Sequence, residues 1–305
     1  MADGRLLLVG GSGYFGARLA EALADDWDVA VTVRSDTPAR AAWLAERGIA
    51  SFRYDSGTDA VLPGGDYDAI VNLAMPGAQA AGKDADAALA QGRSTASACL
   101  AALREGRAAR LIHFSTFHVY GGAVAATYNE DMPKAPGHPY GRTHLAIESE
   151  LTASDVADRI AILRPTNMVG APAHRDLGEQ AGLIFLDLCR QVAESGTMSL
   201  RNDGQSYRDI LPFGDAIAAV DRLLRAENGW NTIFNLGAGQ AITMQALAES
   251  IAAAAPQPVT ITYGDGTDAF RSPFTVDISR LAALGWTPSA SIADEARRTI
   301  AAFAA

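Results

Sequence analysis

The chain has 305 residues, of which 49% are hydrophobic and 20% charged, and its formal net charge at pH 7 is −10. This length is sufficient for a large core and two lobes, and the composition is ordinary for a globular protein. The acidic balance argues against nucleic acid or an anionic membrane as partner, because both require a basic protein surface. A small anionic substrate stays compatible, since a local arginine cluster can override the net charge.

The two cysteines, Cys99 and Cys189, lie in apolar, helix-like surroundings, which predicts buried thiols rather than a disulfide framework. No His, Asp or Glu spacing indicates a metal site, so none is expected. The first residues lead directly into a short apolar strand pattern, and no apolar run reaches the roughly 18 residues of a membrane span. We therefore expect a cytoplasmic protein without a membrane partner.

Strand-like and helical patterns alternate along the first half of the chain. Strand patterns cover 5–9, 29–33, 50–54, 69–73, 110–114 and 159–163, and helical patterns cover 17–24, 84–104 and 139–154. This alternation predicts βαβ units and a parallel sheet. A later helix is expected at 216–225, with Asp209 and Asp215 shaping the preceding loop and capping the helix.

A glycine-rich turn, Gly10-Gly-Ser-Gly-Tyr-Phe-Gly16, separates the first strand pattern from the first helical pattern. Gly11, Gly13 and Gly16 fit G-x-G-x-x-G, and Gly10 with the last two fits G-x-x-G-x-x-G. Glycine allows the tight turn, the approach of the backbone to a pyrophosphate and close helix–strand packing. The helix N-terminus then attracts the phosphates. This context predicts a dinucleotide site rather than a structural turn, with the contact residues Gly10, Gly13, Tyr14, Phe15 and Gly16.

Arg34 ends the second strand pattern, where an NAD enzyme usually carries an acidic residue that accepts from the ribose 2′-OH. A guanidinium can instead pair with a 2′-phosphate, and Ser35 and Arg40 are close in sequence. NADP is therefore the predicted cofactor. The nearby Asp36 keeps NAD as the alternative cofactor. A second alternative is that Arg34 is simply a solvent-exposed residue after a strand and contacts no cofactor.

Two motifs follow, Ser115-Thr-Phe-His-Val-Tyr-Gly121 and Tyr140-Gly-Arg-Thr-His144. Together they resemble the active site of the extended short-chain dehydrogenase/reductases, whose Tyr-x-x-x-Lys motif carries a lysine where this chain has His144. Four stretches of the second half resemble motifs of the same family, at 163–170, 202–209, 234–239 and 276–288. The resemblance therefore runs from about residue 5 to residue 303.

The resemblance implies an α/β fold, with a doubly wound parallel Rossmann sheet and a smaller C-terminal α/β substrate lobe. The expected dinucleotide-binding domain is 1–166 with about 206–238, and the expected substrate lobe is 167–205 with 239–305. Known members act mostly on nucleotide-diphosphate sugars and often form homodimers through the helices at 84–104 and 139–154. Four further residues would contact the cofactor, with the first at the adenine amino group: Asp55, Ser56, Leu73 and Ala74.

The resemblance also assigns the chemistry. Thr116 would hydrogen-bond the oxygen at the reacting carbon, and Tyr140 would exchange a proton with it while hydride moves to or from the nicotinamide. The family's lysine holds the ribose and lowers the pKa of the tyrosine. His144 would still hold the ribose, but it would usually be neutral at pH 7 and would assist ionisation less. A neutral residue there favours ketone reduction, which starts from a protonated tyrosine.

Substrate contacts are expected from the second half of the chain. Arg208 is the first candidate for a sugar-nucleotide diphosphate and Arg271 the second, with Asn167 as a polar contact and His118 as a liner of the sugar pocket. For Arg208 the structural alternative is an ion pair with Asp209 or Asp215, and Arg271 has a similar alternative.

These observations predict an NADPH-dependent ketoreductase of a nucleotide-diphosphate-linked keto-deoxysugar. The alternatives are an epimerase that retains NAD(P), a reductase of a non-nucleotide ketone, and a weakly catalytic dinucleotide-binding regulator. The family's 4,6-dehydratases carry Asp-Glu directly after the catalytic threonine. Phe117 and His118 stand at those positions here, so 4,6-dehydration is not expected.

Overall fold

The computed structural model describes residues 3–35, 37–121, 125–174, 177, 183–268 and 270–304. Its α-helices are α1 (Tyr14–Leu23), α2 (Pro38–Glu46), α3 (Ala78–Lys83), α4 (Ala85–Arg104), α5 (Pro139–Thr152), α6 (Ile184–Ser195), α7 (Phe213–Leu224), α8 (Met244–Ala254), α9 (Ser279–Ala283) and α10 (Ile292–Ala304). Short 3₁₀ helices cover Phe117–Tyr120 and Ala157–Arg159.

The strands are β1 (Arg5–Val9), β2 (Asp28–Val33), β3 (Ala50–Arg53), β4 (Tyr67–Asn72), β5 (Ala108–Phe114), β6 (Thr127–Tyr128), β7 (Ile160–Pro165), β8 (Asn167–Val169), β9 (Thr197–Asn202), β10 (Tyr207–Arg208), β11 (Ile210–Pro212), β12 (Thr232–Leu236), β13 (Ile242–Thr243), β14 (Thr260–Gly266) and β15 (Thr275–Val276). The strands and helices predicted from the sequence are present, with ends that differ by a few residues. The largest shifts are of three residues, at the starts of α1 (Tyr14 rather than 17) and α7 (Phe213 rather than 216).

Seven strands form the central sheet in the order β12-β7-β5-β4-β1-β2-β3. The pairings from β7 through β3 are parallel. After β1 the chain moves outward through β2 and β3, and it then returns to form β4 on the other side of β1. Ligands of doubly wound folds bind at the carboxyl ends of the strands where the order reverses in this way. The α/β fold predicted from the sequence is confirmed.

The inner strands of the sheet are buried on both faces, as is usual for parallel sheets, whereas the edge strand β3 is largely exposed. The whole apolar run of β1, from Leu6 to Val9, has no exposed surface. One hydrophobic cluster joins alternate residues of the sheet to α4 and α5, and its members include Leu7, Ile70, Leu111, Ile162, Cys99, Leu103, Ile147 and Leu151. The sheet face that carries Ile70 and Leu111 is therefore the face covered by α4 and α5.

The chain divides into two compact units, the first comprising Met1–Ala123, Asp131–Arg164 and Val220–Phe234, and the second comprising Val124–Glu130, Pro165–Ala219 and Asn235–Ala305. The first unit contains the turn after β1 and the two motifs at 115–121 and 140–144. The second contains short paired strands, and there α10 packs on α6 and α8. The domain boundaries stated above stay a prediction.

Cys99 and Cys189 are buried free thiols, as predicted. Burial raises the pKa of each to about 12. Within the described ranges, no helix combines the length and the apolar character of a membrane span.

Candidate active site

The turn between β1 and α1 leaves no room for a side chain at three of its glycines. A Cβ at Gly11 would lie 2.7 Å from Leu8, and one at Gly16 would lie 2.7 Å from the carbonyl oxygen of Gly10. Gly10 has a φ of +78°, and a Cβ there would meet Ala74 at 3.0 Å. The turn therefore packs against the end of β4, at the reversal of strand order.

Helix α1 starts directly behind this turn. Gly13 is its N-cap and makes no side-chain cap, and the first turn contains no acidic residue. The positive end of the helix dipole thus faces no carboxylate from its own first turn, which suits phosphate binding. Of the two predicted aromatic contacts, Phe15 is buried with its ring 5.5 Å from that of Phe114, whereas Tyr14 keeps partial exposure.

Arg34, Ser35 and Arg40 lie together where β2 leads into α2. Arg34 is exposed and has no hydrogen-bond or ion-pair partner among the residues that the structure describes. Arg40 donates from Nη1 to the carbonyl oxygen of Ser35 at 3.4 Å, and its backbone N–H donates to the N-cap Thr37 at 3.2 Å. Asp36, on which the NAD alternative depends, lies outside the described residues.

Asp55 and Ser56 form a turn after β3. The Asp55 carboxylate accepts from the N–H of Gly57 at 3.0 Å, and its own N–H donates to Asp59 at 2.7 Å. The carbonyl oxygen of Ser56 accepts from the hydroxyl of Ser94 on α4 at 2.5 Å. These contacts hold the loop in place and leave the predicted adenine contact untested.

Leu73 and Ala74 follow β4, and the buried side chain of Asn72 organises this strand end. Asn72 Oδ1 accepts from the Ala74 N–H at 3.1 Å, and Asn72 Nδ2 lies 3.1 Å from Nδ1 of His113 on β5. His113 is fully buried, and burial lowers its pKa to about 4. The prediction that His113 is buried and hydrogen-bonded is confirmed.

Thr116 and Tyr140 are the two residues predicted to carry the chemistry. Thr116 is buried directly after β5, and Tyr140 lies at the start of α5, where its N–H donates to the N-cap His138 at 3.1 Å. Burial raises the pKa of the Tyr140 phenol, and a hydrogen bond with Thr116 acts in the opposite direction. The phenol is therefore protonated at neutral pH.

His144 lies one helical turn after Tyr140, with the ring centroids 4.6 Å apart. Its side chain is buried, and this burial, reinforced by the electrostatic effects of His113 and His118, lowers its pKa to about 3. Both ring nitrogens are buried without a hydrogen-bond partner in the described part of the chain. The group at the lysine position is thus a neutral imidazole with two unused hydrogen-bonding atoms.

His118 stands beside the proposed acid. The residue is exposed, and its ring centroid lies 5.6 Å from that of Tyr140. The preceding Phe117 packs edge-on against Tyr120, with 5.2 Å between centroids.

A buried ion pair between Glu148 and Arg164 was not predicted from the sequence. Arg164 donates from Nη2 and Nε to the two carboxylate oxygens at 2.6 and 2.9 Å, and from Nη1 to the Tyr120 hydroxyl at 3.0 Å. The hydroxyl of Ser115 donates to the same carboxylate. The sequence does contain a pattern that points to Glu148. Tyr140, His144 and Glu148 are spaced four residues apart and therefore share one face of the helix.

The remaining predicted substrate residues lie in the second unit. Asn167 donates from Nδ2 to the carbonyl oxygen of Asp209 at 2.9 Å. Arg208 lies 3.7 Å from Asp268, and burial lowers its pKa. Arg271 forms a two-pronged ion pair with Asp203, at 2.7 and 2.8 Å.

The predicted roles of Asp209 and Asp215 require correction. Asp215 lies inside α7 rather than before it, and its carboxylate accepts from the backbone N–H groups of Ser289 and Ala290 at 2.7 and 2.9 Å. Asp209 accepts from the Thr166 hydroxyl at 2.7 Å and from the Ala238 N–H at 2.8 Å. Both carboxylates tie distant chain segments together, and Arg208 forms an ion pair with Asp268.

The first unit fits a nicotinamide dinucleotide. The turn has no room for a side chain at Gly10, Gly11 or Gly16, Arg34 is exposed without a partner in the described ranges, and His144 has unpaired buried nitrogens. These features match the needs of a pyrophosphate, a ribose phosphate and a ribose hydroxyl. The described residues contain no group of three or more His, Cys, Asp or Glu side chains placed to hold a metal ion.

Comparison with known proteins agrees with this geometry. The dTDP-6-deoxy-L-talose 4-dehydrogenase (NAD(P)(+)) of Kitasatospora kifunensis is 33% identical over 199 residues, which cover 62% of this chain and 61% of that protein. The UDP-glucose 4-epimerase of Corynebacterium glutamicum is 27% identical over 302 residues, which cover 93% of this chain and 91% of that one.

Solved structures share the fold. RMD from Pseudomonas aeruginosa, complexed with NADPH, superposes with a TM-score of 0.78 at 23% identity and 99% coverage of both chains. The UDP-N-acetylglucosamine 4-epimerase of Methanobrevibacter ruminantium gives 0.82 at 18% identity and the same coverage. The model of the NAD dependent epimerase/dehydratase family matches residues 6–237. The chain therefore belongs to this family and is an NAD(P)-dependent enzyme of the extended short-chain dehydrogenase/reductase type.

Proposed function

We propose that the protein is an NADPH-dependent ketoreductase that acts on a nucleotide-diphosphate-linked keto-deoxysugar. A reduced nicotinamide held by these residues would supply the hydride that the carbonyl carbon needs. The Thr116 hydroxyl donates to the carbonyl oxygen and holds it beside Tyr140. The Tyr140 phenol then donates its proton to that oxygen, which becomes the product hydroxyl. His144 orients the cofactor ribose through a ring nitrogen.

The observation that carries the proposal is the uncharged surroundings of the Tyr140 phenol. Burial raises its pKa, and its hydrogen-bond partner Thr116 is neutral. The neighbouring His144 is neutral as well, because its pKa lies at about 3. A reaction that starts from a ketone uses the protonated phenol that this site stabilises, whereas a reaction that starts by oxidising an alcohol requires the phenolate.

The cofactor and substrate classes rest on separate observations. The exposed guanidinium of Arg34 supports NADP over NAD. The Kitasatospora relative is named for dehydrogenation of a deoxysugar nucleotide at position 4 with NAD(P)+, and ketone reduction is the reverse of that reaction. Arg208 supplies a partly desolvated cation in the second unit, which suits a diphosphate.

The test is a pH–rate profile of the wild type and the His144→Lys variant in both reaction directions. A cationic lysine lowers the pKa of Tyr140, so we expect faster alcohol oxidation at neutral pH and a ketone reduction that fails at lower pH than in the wild type. If reduction stays intact and oxidation gains nothing at neutral pH, the charge argument is wrong.

An epimerase is the second candidate, since several relatives, including the one from Corynebacterium glutamicum, carry that name. The two activities differ in their cofactor balance. A reductase oxidises one NADPH for each sugar converted, whereas an epimerase leaves the cofactor unchanged after turnover. Absorbance of NADPH during conversion of a keto-sugar nucleotide distinguishes them.

A homodimer through α4 and α5 is part of the proposal. The outer side of α5 carries a shallow, mostly apolar depression of about 540 Å³, lined by Ala135, Pro136, Arg142, Leu145, Ala146 and Ser149. Light scattering of the purified protein tests this assignment. An Ala146→Arg variant that is monomeric while the wild type is dimeric supports it, and a monomeric wild type contradicts it.

A further inference from the structure

His113 is a buried titratable group that the proposed reaction does not use. It occupies β5 with no exposed surface, and its Nε2 atom is buried without a hydrogen-bond partner among the described residues. Both ring nitrogens of His144 share this property. Three imidazole nitrogens without partners are unusual in one protein interior, because an unpaired buried polar group costs about 1–3 kcal/mol.

The sheet places His113 on the side of α5. Side chains alternate along a strand, so His113 shares a face with Leu111. Leu111 belongs to the cluster that packs against Ile147 of α5. Ser115 lies on the same face two residues later, and its hydroxyl donates to Glu148 of α5. Glu148 is one helical turn beyond His144. The two imidazoles also interact electrostatically.

The protons of this cluster can be assigned. Asn72 Oδ1 is occupied by the Ala74 N–H, so the amide nitrogen of Asn72 faces His113 and donates to its Nδ1. A neutral imidazole that accepts at Nδ1 carries its proton on Nε2. His113 therefore points an N–H donor into the interior. The Ala74 N–H donates to Asn72, and the Asn72 amide donates in turn to His113, so the three groups form one hydrogen-bonded chain.

We propose that His113 is a positioning residue for His144: its Nε2–H donates through one bridging water to a ring nitrogen of His144, and fixes the tautomer in which the other nitrogen presents an N–H to the cofactor ribose. A lysine needs no such partner, because every proton of its ammonium group is a donor. A neutral histidine offers one donor and one acceptor, so a second group must decide which nitrogen carries the proton. His113 is the group that determines which nitrogen of His144 carries the proton.

The first test is nitrogen-15 spectroscopy of the cofactor-free protein at neutral pH, with labelled histidine. The chain has 5 histidines, so assignment by substitution is practical. We expect His113 with its proton on Nε2 and His144 in a single tautomer. A proton on Nδ1 of His113, or a wild-type His144 that exchanges between tautomers, would overturn the proposal.

The second test is a double-mutant cycle on dinucleotide binding, measured by NADPH fluorescence without sugar substrate. His113→Phe removes the donor and is expected to weaken binding about tenfold. In the His144→Lys background the same change is expected to have little effect. An equal loss in both backgrounds would mean that His113 is only structural, and would overturn the proposal.

His113→Gln is the matched control, because its amide oxygen can accept from Asn72 while its N–H replaces Nε2–H as the donor to the bridging water. We expect it to retain near wild-type affinity for NADPH, and a loss equal to that of His113→Phe contradicts the proposal. Should His113→Phe fail to fold, the wild-type tautomers and the glutamine variant still decide the outcome. None of these readouts depends on whether the enzyme reduces or epimerises.

Discussion

Glu148 on α5 and Arg164 on β7 form an ion pair that is almost completely removed from solvent, with side-chain exposures of 3% and 1%. Two hydrogen bonds join the groups, and the hydroxyls of Ser115 and Tyr120 complete the network. Glu148 lies two helical turns after Tyr140, and Ser115 directly precedes Thr116. The pair therefore fixes the helix and the strand end that carry the two hydroxyls proposed to be catalytic, those of Tyr140 and Thr116.

Removing one member of this pair should be more harmful than removing both. Arg164→Met leaves the Glu148 carboxylate buried without its cation, which should lower the free energy of unfolding by about 3–5 kcal/mol. The double variant Glu148→Leu/Arg164→Met leaves no uncompensated charge and should recover a large part of this loss. Urea unfolding of the three proteins measures both effects. A double variant less stable than Arg164→Met would contradict this account of the pair.

The stability of the apoprotein should decrease in mild acid because of its buried histidines. The pKa of His113 is lowered from 6.5 to about 4, and that of His144 to about 3. Below pH 6.5 the unfolded chain binds protons that the native protein excludes, so the free energy of unfolding falls as pH falls. Each histidine contributes at most about 1.4 kcal/mol per pH unit. Above pH 6.5 both histidines are neutral in the folded and the unfolded chain, so they no longer make the free energy of unfolding depend on pH.

Urea midpoints between about pH 5 and pH 7 measure this slope. The His113→Gln variant is the control, since glutamine does not titrate and its curve should be flatter by the share of one histidine. A wild-type slope that the variant reproduces would show that other groups control the acid sensitivity.

Arg34 should determine the choice between the two dinucleotides. Arg34→Asp replaces a cation with a carboxylate that repels a 2′-phosphate and can accept from a 2′-OH, so affinity for NADPH should fall about tenfold or more. Affinity for NADH should stay equal or rise, which provides an internal control for folding. Fluorescence titration with both reduced cofactors measures the change. A parallel loss for both would place Arg34 outside the ribose site.

Arg208 rather than Arg271 should bind the substrate diphosphate. Arg271 is already neutralised by a two-pronged pair with Asp203, whereas Arg208 has a longer 3.7 Å contact with Asp268 and is partly desolvated. Arg208→Ala should therefore raise KM for a sugar nucleotide about tenfold or more, with Arg271→Ala as the matched control of smaller effect. Equal effects of the two substitutions would contradict the distinction between the two arginines. A sugar nucleotide that binds both variants as tightly as the wild type would contradict the assignment of a sugar-nucleotide substrate.

Most of the fold could be predicted because its signals are local. Parallel strands covered on both faces appear as continuous apolar runs such as Leu6–Val9, and glycines occupy the turn after β1 because no other residue fits there. Tyr140 and His144 are separated by one helical turn, so their proximity follows from their spacing alone. These features depend on neighbours within a few residues of each other.

The contacts that give the site its electrostatics join residues far apart in the sequence, and only the tertiary structure decided them. Glu148 meets Arg164 and Asn72 meets His113 because β4, β5, β7 and α5 pack side by side. Asp215 was predicted to cap a helix, yet its carboxylate holds the backbone at Ser289. The sequence by itself determined the fold class, the family motifs and the histidine at the lysine position. Burial determined that this histidine is uncharged, because the cost of desolvating an imidazolium depends on what the folded chain places around it.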